Sequence, residues 1–370
     1  MIKKDIDCRL LQSFQGKGPN AISQWEFWSC PDAETYLTGI DYYEDPEQCR
    51  LKFKELYPLL GQSVPETVYP VKRGIIQQDD DRSDNPASDR KSVRWGAGLT
   101  WEWDWGREFK TQKEVLDFSP LEHADMRERN IREQLDYRSE EALYRHFKQQ
   151  ISSDPADEAP KDRVEMLSFY NTMFMWPLLA FGWEKFLEVC LLPEFERIMD
   201  EFAELSRRVF RAFSRLPANL IISHDDIVTA QGPVCSPEWM HKYIFPRYEE
   251  FWGMIKDAGK TVVHLVDGRI DAYIDDVMAC GADGVITEPY TDFKAIAKRH
   301  KDCVLCGEGD NRVLMNRDAE AIKSMVLSMV ETAKMSGGYI MGIGNHIPWN
   351  VPPEAVKVYL DAVNEYAFRY

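Results

Sequence analysis

From Val164 to the end of the chain, short apolar runs alternate with longer stretches whose apolar positions recur every three or four residues. The runs at 164–169, 219–223, 261–265, 284–287, 303–307 and 339–343 predict strands. The stretches between them predict helices over 177–187, 193–216, 269–280, 291–300 and 317–335, with two more from Ser236 and Pro352. Phe195, Ile198, Phe202, Leu205 and Val209 mark one buried face of the second of these. Ser236 offers an N-cap and Pro237 the first helical residue. Strand–helix units in series imply parallel strands with right-handed crossovers. With no Gly-rich dinucleotide turn among them, the pattern favours an α/β fold closed as a (β/α)8 TIM barrel over an open doubly wound sheet.

The first half is less regular. Residues 20–28 predict a strand, and helices start at Pro31 and at Asp45, the latter with Leu51, Phe53, Leu56 and Leu59. Residues 77–92 form an acidic surface loop rich in Asp, Ser and Arg. Val93, Trp95, Ala97, Leu99, Trp101, Trp103 and Trp105 then alternate with polar residues and glycines, placing four tryptophans on one face. That is a hairpin strand packed on the barrel or an aromatic wall of a pocket. The charged segment 123–149 predicts a helix, and 152–161 a surface linker. We therefore expect one barrel domain over 1–370: residues 1–120 elaborate it with helices and the Trp-rich hairpin, and 164–370 carry the site.

Composition narrows the partners. Lys+Arg 45 against Asp+Glu 62 gives a net charge of −17, which disfavours nucleic acid and anionic membranes as partners. There is no apolar run of about 18 residues and no apolar leader after Met1, so a cytoplasmic protein is expected. Eight scattered cysteines in a chain of this size read as reduced thiols. Cys303 and Cys306 form a C-x-x-C, but residues three apart on a strand face opposite sides, so only Cys306 remains a candidate ligand. Cys235 precedes a helix start, where a thiol pKa can fall.

Residues just past the predicted strands carry the chemistry. In order they are His224, Asp225 and Asp226; His264 and Asp267; Glu288; Glu308 and Asp310; Asn345 and His346. Three of the seven histidines fall at these points. Strand C-termini are where α/β enzymes build active sites. Imidazoles and carboxylates there suit general acid/base catalysis or a metal with mixed N and O ligands.

Asp225-Asp226, Ser236-Pro237-Glu238, Phe245-Pro246-Arg247, His264, Asp267-Gly268, Gly281-Ala-Asp-Gly284, Gly307 with Asp310, Gly337-Gly-Tyr-Ile340, Asn345-His-Ile-Pro348 and Pro352-Pro-Glu354 together resemble the uroporphyrinogen decarboxylase-like superfamily. The resemblance is best over 164–370. It implies a (β/α)8 barrel, a homodimer, and either decarboxylation or methyl transfer to or from corrinoid proteins. The Arg-rich N-terminal motif of true decarboxylases has no counterpart in Ser23–Ser29, which points to the methyltransferase branch. Thiol-activating members hold zinc through His-x-Cys and a later Cys. Here His264 is present, but Val266 stands at the first Cys position and Asn345 or His346 at the second.

The expected activity is transfer of a methyl group from a small methylated compound, such as an aryl methyl ether, to the cobalt of a corrinoid-binding partner protein. His264, Asp226 and His346 are the expected catalytic residues. Asp225, His224, Asp267, Glu288, Asp310, Asn345 and Trp349 are expected to bind substrate, with Trp101, Trp103 and Phe174 as further aromatic lining. If zinc is bound, His264, Glu308 and Cys306 are the expected ligands. The alternatives are a decarboxylase of another substrate, with Asp226 stabilising a developing cation, and a silent barrel that only docks a corrinoid protein.

Overall fold

A computed structural model describes residues 12–13, 22–28, 30–57, 60–63, 92–95, 98–101, 108–129, 133–151, 164–348 and 351–367. The linker at 152–161 and the acidic loop at 77–92, apart from Ser92, lie outside them. The chain divides into two compact units, one of residues 1–103 with 287–370, the other of residues 104–286.

In chain order the first unit opens with β1 (Ser23–Phe27), α1 (Pro31–Thr38), α2 (Pro46–Leu56), β2 (Leu60–Ser63), β3 (Ser92–Trp95) and β4 (Gly98–Trp101). The second holds α3 (Gln112–Asp117), α4 (Glu140–Lys148), β5 (Met166–Phe169), α5 (Met175–Val189), α6 (Phe195–Arg215), β6 (Leu220–His224), β7 (Val228–Thr229), β8 (Gly232–Pro233), α7 (Pro237–Tyr243), α8 (Phe245–Asp257), β9 (Thr261–Leu265), α9 (Ile274–Ala279) and β10 (Gly284–Ile286). The first unit resumes with α10 (Phe293–Arg299), β11 (Val304–Cys306), α11 (Asn311–Met315), α12 (Ala319–Met335), β12 (Gly338–Met341) and α13 (Pro353–Tyr366).

Each unit contains four parallel strands, ordered β2-β1-β12-β11 in the first and β10-β9-β6-β5 in the second. In the second, Ser223 of β6 pairs with Phe169 of β5 and His264 of β9. Strand alternation then sends Ser223 to one side and His224 to the other. The helix side is apolar and aromatic. The long helix α6 buries Phe195, Ile198, Phe202, Leu205, Val209, Phe210 and Phe213. Phe202 stacks on Trp176 and Phe210 on Phe251, with ring centroids 5.3 Å and 5.2 Å apart.

Local chemistry sets the helix starts. Asp45 Oδ1 accepts from the Gln48 N–H ahead of Pro46, and Ser236 Oγ accepts from Trp239 N–H ahead of Pro237. Helix α5 is interrupted at Gly182, whose φ of 76° is accessible to glycine without steric cost. No helix among the described residues is long and apolar enough to cross a membrane. The seven described cysteines are free thiols.

Two expectations are corrected. Among the described residues of the charged segment 123–149, α4 is the helical part, with Leu143 and Phe147 buried at helical spacing. Ahead of it the chain turns, tied by Arg127–Asp125 and Arg138–Asp136 pairs. The thirteen-residue Trp alternation is not one strand: β3 and β4 are antiparallel, with Val93 opposite Thr100 and Trp95 opposite Gly98. The antiparallel pairing breaks the alternation, so Trp95 and Trp101 do not continue a single run; Trp103 and Trp105 lie outside the described residues. Strand β2, the β7–β8 pair and α11 were not legible as apolar patterns.

Candidate functional site

Three consecutive parallel strands of the second unit, β5, β6 and β9, end side by side and each delivers polar residues at or just past its last ladder pair. From β5 comes Tyr170, from β6 His224 and Asp226, and from β9 Asp267. The Tyr170 hydroxyl donates to Asp226 Oδ2 at 2.9 Å, and His224 Nε2 lies 3.1 Å from Asp226 Oδ1. The Asp267 N–H donates to the same Oδ1 at 2.9 Å. The Tyr170 ring stands edge-on to the imidazole, centroids 4.2 Å apart. Gly268 holds the β9 corner at φ 118°, where a Cβ would meet the Thr229 carbonyl carbon at 2.6 Å.

Burial pushes the Asp226 carboxyl up. The charge and hydrogen bond of His224, the Asp267 N–H and the Tyr170 hydroxyl outweigh it and hold Asp226 below its ordinary value. Asp226 is therefore an anion beside an imidazole, with side-chain exposures of 19% and 12% that leave both reachable. One donor atom each from His224, Asp226 and Asp267 lies within 4.8 Å of the others. Among the described residues this triple is the group that brings three metal-ligating side chains together, and it contains none of His264, Glu308 or Cys306.

Those three are corrected as a ligand set, each for its own reason. His264 shares the side of Ser223, not that of His224. It is fully buried, with ring centroids 5.4 Å from Tyr248 and 5.6 Å from Trp252. Its Nδ1–H donates to the Ser223 carbonyl at 3.0 Å, and Nε2 is buried with no partner. Burial lowers its pKa to about 4, overriding the Ser223 carbonyl, so it is neutral near pH 7. Glu308 has both oxygens engaged, by Thr332 Oγ1 at 2.8 Å and the Tyr339 hydroxyl at 2.6 Å. Cys306 is buried, which pushes its thiol well above the ordinary value.

Asp225 is also turned inward. It is fully buried and accepts from the Met173, Phe174 and Met175 N–H groups at 2.9, 2.7 and 2.7 Å and from the Tyr248 hydroxyl at 2.7 Å. Burial pushes its carboxyl up to about 7, against the pull of those donors. A carboxylate so enclosed has no face for a substrate, which corrects that assignment. Phe174 is equally buried, edge-on to Phe186 and Trp239, and lines the core instead of a pocket.

The remaining predicted residues belong to the first unit. Asp310 caps α11 by accepting from the Arg312 N–H at 2.8 Å and pairs with the Arg312 guanidinium at 2.7 Å, a local structural use. His346 Nδ1 lies 2.7 Å from Asn345 Oδ1, and its carbonyl accepts from Asn311 Nδ2 at 2.5 Å. Asn345 is exposed at φ 67°, and Glu288 is half-buried. Trp349 and Trp103 lie outside the described residues, and of Trp101 only the backbone is described.

Sequence reasoning missed Tyr170 and Tyr248. Tyr170 directly follows β5, and the strand-end rule applied to that strand would have found it. Tyr248 sits inside a helix, where no local signal sets it apart from other aromatic core residues.

Parallel strands with intervening helices and polar side chains at the strand C-termini are an α/β arrangement of the TIM-barrel-like class. The fold is shared, at 16% identity and a TM-score of 0.55 over 98% of both chains, with a methyltransferase from Methanosarcina mazei. The chain belongs to the uroporphyrinogen decarboxylase (URO-D) family, whose model matches residues 182–366. It is 26% identical over 135 residues to a uroporphyrinogen decarboxylase of Pseudoalteromonas atlantica and 25% identical over 130 residues to one of an Anaeromyxobacter species. Those matches span 37% of each relative's length. The family match includes the β6 and β9 corners but not Tyr170.

Proposed function

We propose that this chain is a methyltransferase that takes a methyl group from a small methylated substrate, such as an aryl methyl ether, and passes it to the corrinoid of a partner protein. One observation carries the reading: a His224–Asp226 pair, backed by Tyr170 and Asp267, stands at three adjacent strand ends where a leaving oxygen needs charge neutralised. The fold shared with a methyltransferase supports it. The corrinoid, when the partner presents it, supplies the nucleophile for the methyl carbon.

The chain's own task is then at the oxygen. The C–O bond breaks, its electron pair stays on oxygen, and that oxygen needs a proton or a cation. Asp226, held ionised, favours the protonated form of His224 by keeping a proton on Nε2; the imidazolium's other proton, on Nδ1, goes to the leaving oxygen. Tyr170 and the Asp267 N–H fix Asp226 for this work.

The donor set does not fit a thiolate-bound zinc, since Val266 replaces the cysteine and Cys306 is a buried, protonated thiol. One imidazole nitrogen and two carboxylates fit a divalent cation with mixed N and O ligands. Such an ion would be held by His224, Asp226 and Asp267 and would supply Lewis acidity to the leaving oxygen.

A decarboxylase is the second reading, favoured by the two curated relatives; in it the Asp226 anion stabilises a developing positive charge. The experiment mixes purified protein with free cob(I)alamin and a panel of aryl methyl ethers and follows methylcobalamin by its absorbance. We expect turnover by the wild type and a loss of about a hundredfold or more in Asp226→Asn and His224→Ala, with circular dichroism unchanged. Wild-type rates in both variants would overturn the site, and CO2 release from a porphyrinogen without methyl transfer would establish the second reading.

A further inference from the structure

The two adjacent aspartates after β6 grip one segment from opposite sides. On the open side Asp226 accepts the Tyr170 hydroxyl. On the buried side Asp225 accepts three successive N–H groups, from Met173, Phe174 and Met175, only three to five residues further on. Between these grips Thr172 N–H donates to the His224 carbonyl at 3.3 Å, and Thr172 Oγ1 lies 2.8 Å from Ser223 Oγ. The fourth donor to Asp225, Tyr248, comes from α8 and ties that helix to the same point. Residues 170–175 are thus stitched to 223–226 at every second position or closer, and Asp225 holds three of the stitches.

Backbone N–H groups at the start of a helix have no partner within it, and a carboxylate placed there takes several at once. Removing that acceptor frees the turn that sets where Tyr170 ends up. We propose that Asp225 is a positioning residue. It locks the 170–175 turn so that Tyr170 reaches Asp226, and it does not touch substrate. This inference rests on the reading of Tyr170, His224 and Asp226 as the site, and it gives Asp225 a different role from substrate binding.

The test uses the full chain, with Asp225→Asn, Tyr248→Phe, Tyr170→Phe and the double variant Asp225→Asn/Tyr170→Phe. Amide exchange by mass spectrometry reads the turn without requiring turnover. Native-state exchange at 171–175 should quicken by about tenfold or more in Asp225→Asn while α6 stays protected. In methyl transfer to free cob(I)alamin, kcat should fall between about ten- and a hundredfold with KM changed less than about twofold, as a misplaced group demands. The double variant should be no slower than Tyr170→Phe alone, because Asp225 acts through Tyr170. Tyr248→Phe removes one donor of four and should shift both readouts the same way but less; if Asp225→Asn does not fold, it carries the test.

A raised KM with unchanged kcat in Asp225→Asn would make it a substrate contact and overturn the proposal. Multiplied losses in the double variant, or unaltered exchange at 171–175, would overturn it too. If the wild type transfers no methyl group, the functional reading fails by itself, and the exchange data still decide whether Asp225 holds the turn.

Discussion

Two strand edges of this chain bury a carboxylate in nearly the same way. Past β6, Asp225 takes backbone N–H groups and the Tyr248 hydroxyl. On β1, Glu26 takes the Ile343 N–H at 2.9 Å, the Gln24 amide at 2.9 Å and the Tyr359 hydroxyl at 2.6 Å. Burial pushes both acids up to about 7. The surroundings differ. Next to Asp225 stands Asp226, on the other side of the strand, with His224, Asp267 and Tyr170. Next to Glu26 come Trp25 and the close-packed Gly342, where a Cβ would lie 2.6 Å from the Trp25 carbonyl oxygen and 3.3 Å from Cys306 Sγ. A buried acid with a raised pKa is thus not a site by itself. The site is where a second polar set, facing the opposite way, remains reachable.

The largest expected effect breaks the comparison if it fails. Glu26→Leu strands the Tyr359 hydroxyl, the Gln24 amide and the Ile343 N–H in a dry interior, and should cost about 4 kcal/mol of stability. Urea unfolding would show a lower midpoint at unchanged m. Methyl transfer per folded molecule should stay within about twofold of wild type, because nothing at β1 is asked to touch substrate. A variant with the wild-type midpoint but no activity would move the site to the first unit's edge.

The next prediction separates His264 from His224. The pKa of His264 falls from 6.5 to about 4 on folding. A depressed value means the unfolded chain binds a proton the folded chain refuses. The contribution of His264 is therefore complete above pH 6.5 and is lost as pH falls towards about 4, for a total of about 3 kcal/mol. Asp225 and Glu26, both raised on folding, slope the other way over the same range. The His264 contribution is therefore read as the difference in denaturation midpoint between wild type and His264→Phe from pH 7 to 4.5, which should change by the equivalent of this amount. An unchanged difference would mean that the imidazole is not sealed between Tyr248 and Trp252.

How much of this was legible in the sequence follows from what each signal reports. The βα rhythm from Val164 onward located β5, β6, β9, β10, β11 and β12 to within one or two residues, because a buried parallel strand needs an apolar run and little else. The strand-end rule found His224, Asp226 and Asp267. It did not separate Asp225 from Asp226, or His264 from His224. Those pairs differ by which side of a strand they leave, and a shift of one residue reverses that. The register of β6 on β9 settles it, and register depends on contacts some 40 residues apart in sequence. Tyr248 was invisible for a related reason: its partner, Asp225, lies 23 residues away. In the 123–149 segment, charge density does not separate α4, whose Leu143 and Phe147 are buried at helical spacing, from the turns ahead of it.

The smallest expected effect tests the same distinction at a third strand end. Asp310 lies four residues past β11 and Asp226 two past β6, and the strand-end rule picks out both. Asp310, however, spends its carboxylate on its own neighbours, accepting from the Arg312 N–H at 2.8 Å and pairing with the Arg312 side chain at 2.7 Å. Losing such a cap typically costs about 1 kcal/mol, and the partly exposed ion pair adds little. Asp310→Ala should therefore melt slightly below the wild type and turn over at its rate, whereas Asp226→Ala, which loses its bonds to Tyr170, His224 and Asp267, should lose turnover even per folded molecule. The comparison is sharpest when both variants are measured together, since each controls for the other. If Asp310→Ala abolishes methyl transfer while melting within a degree of wild type, its contact with Arg312 is incidental and β11 contributes to the site.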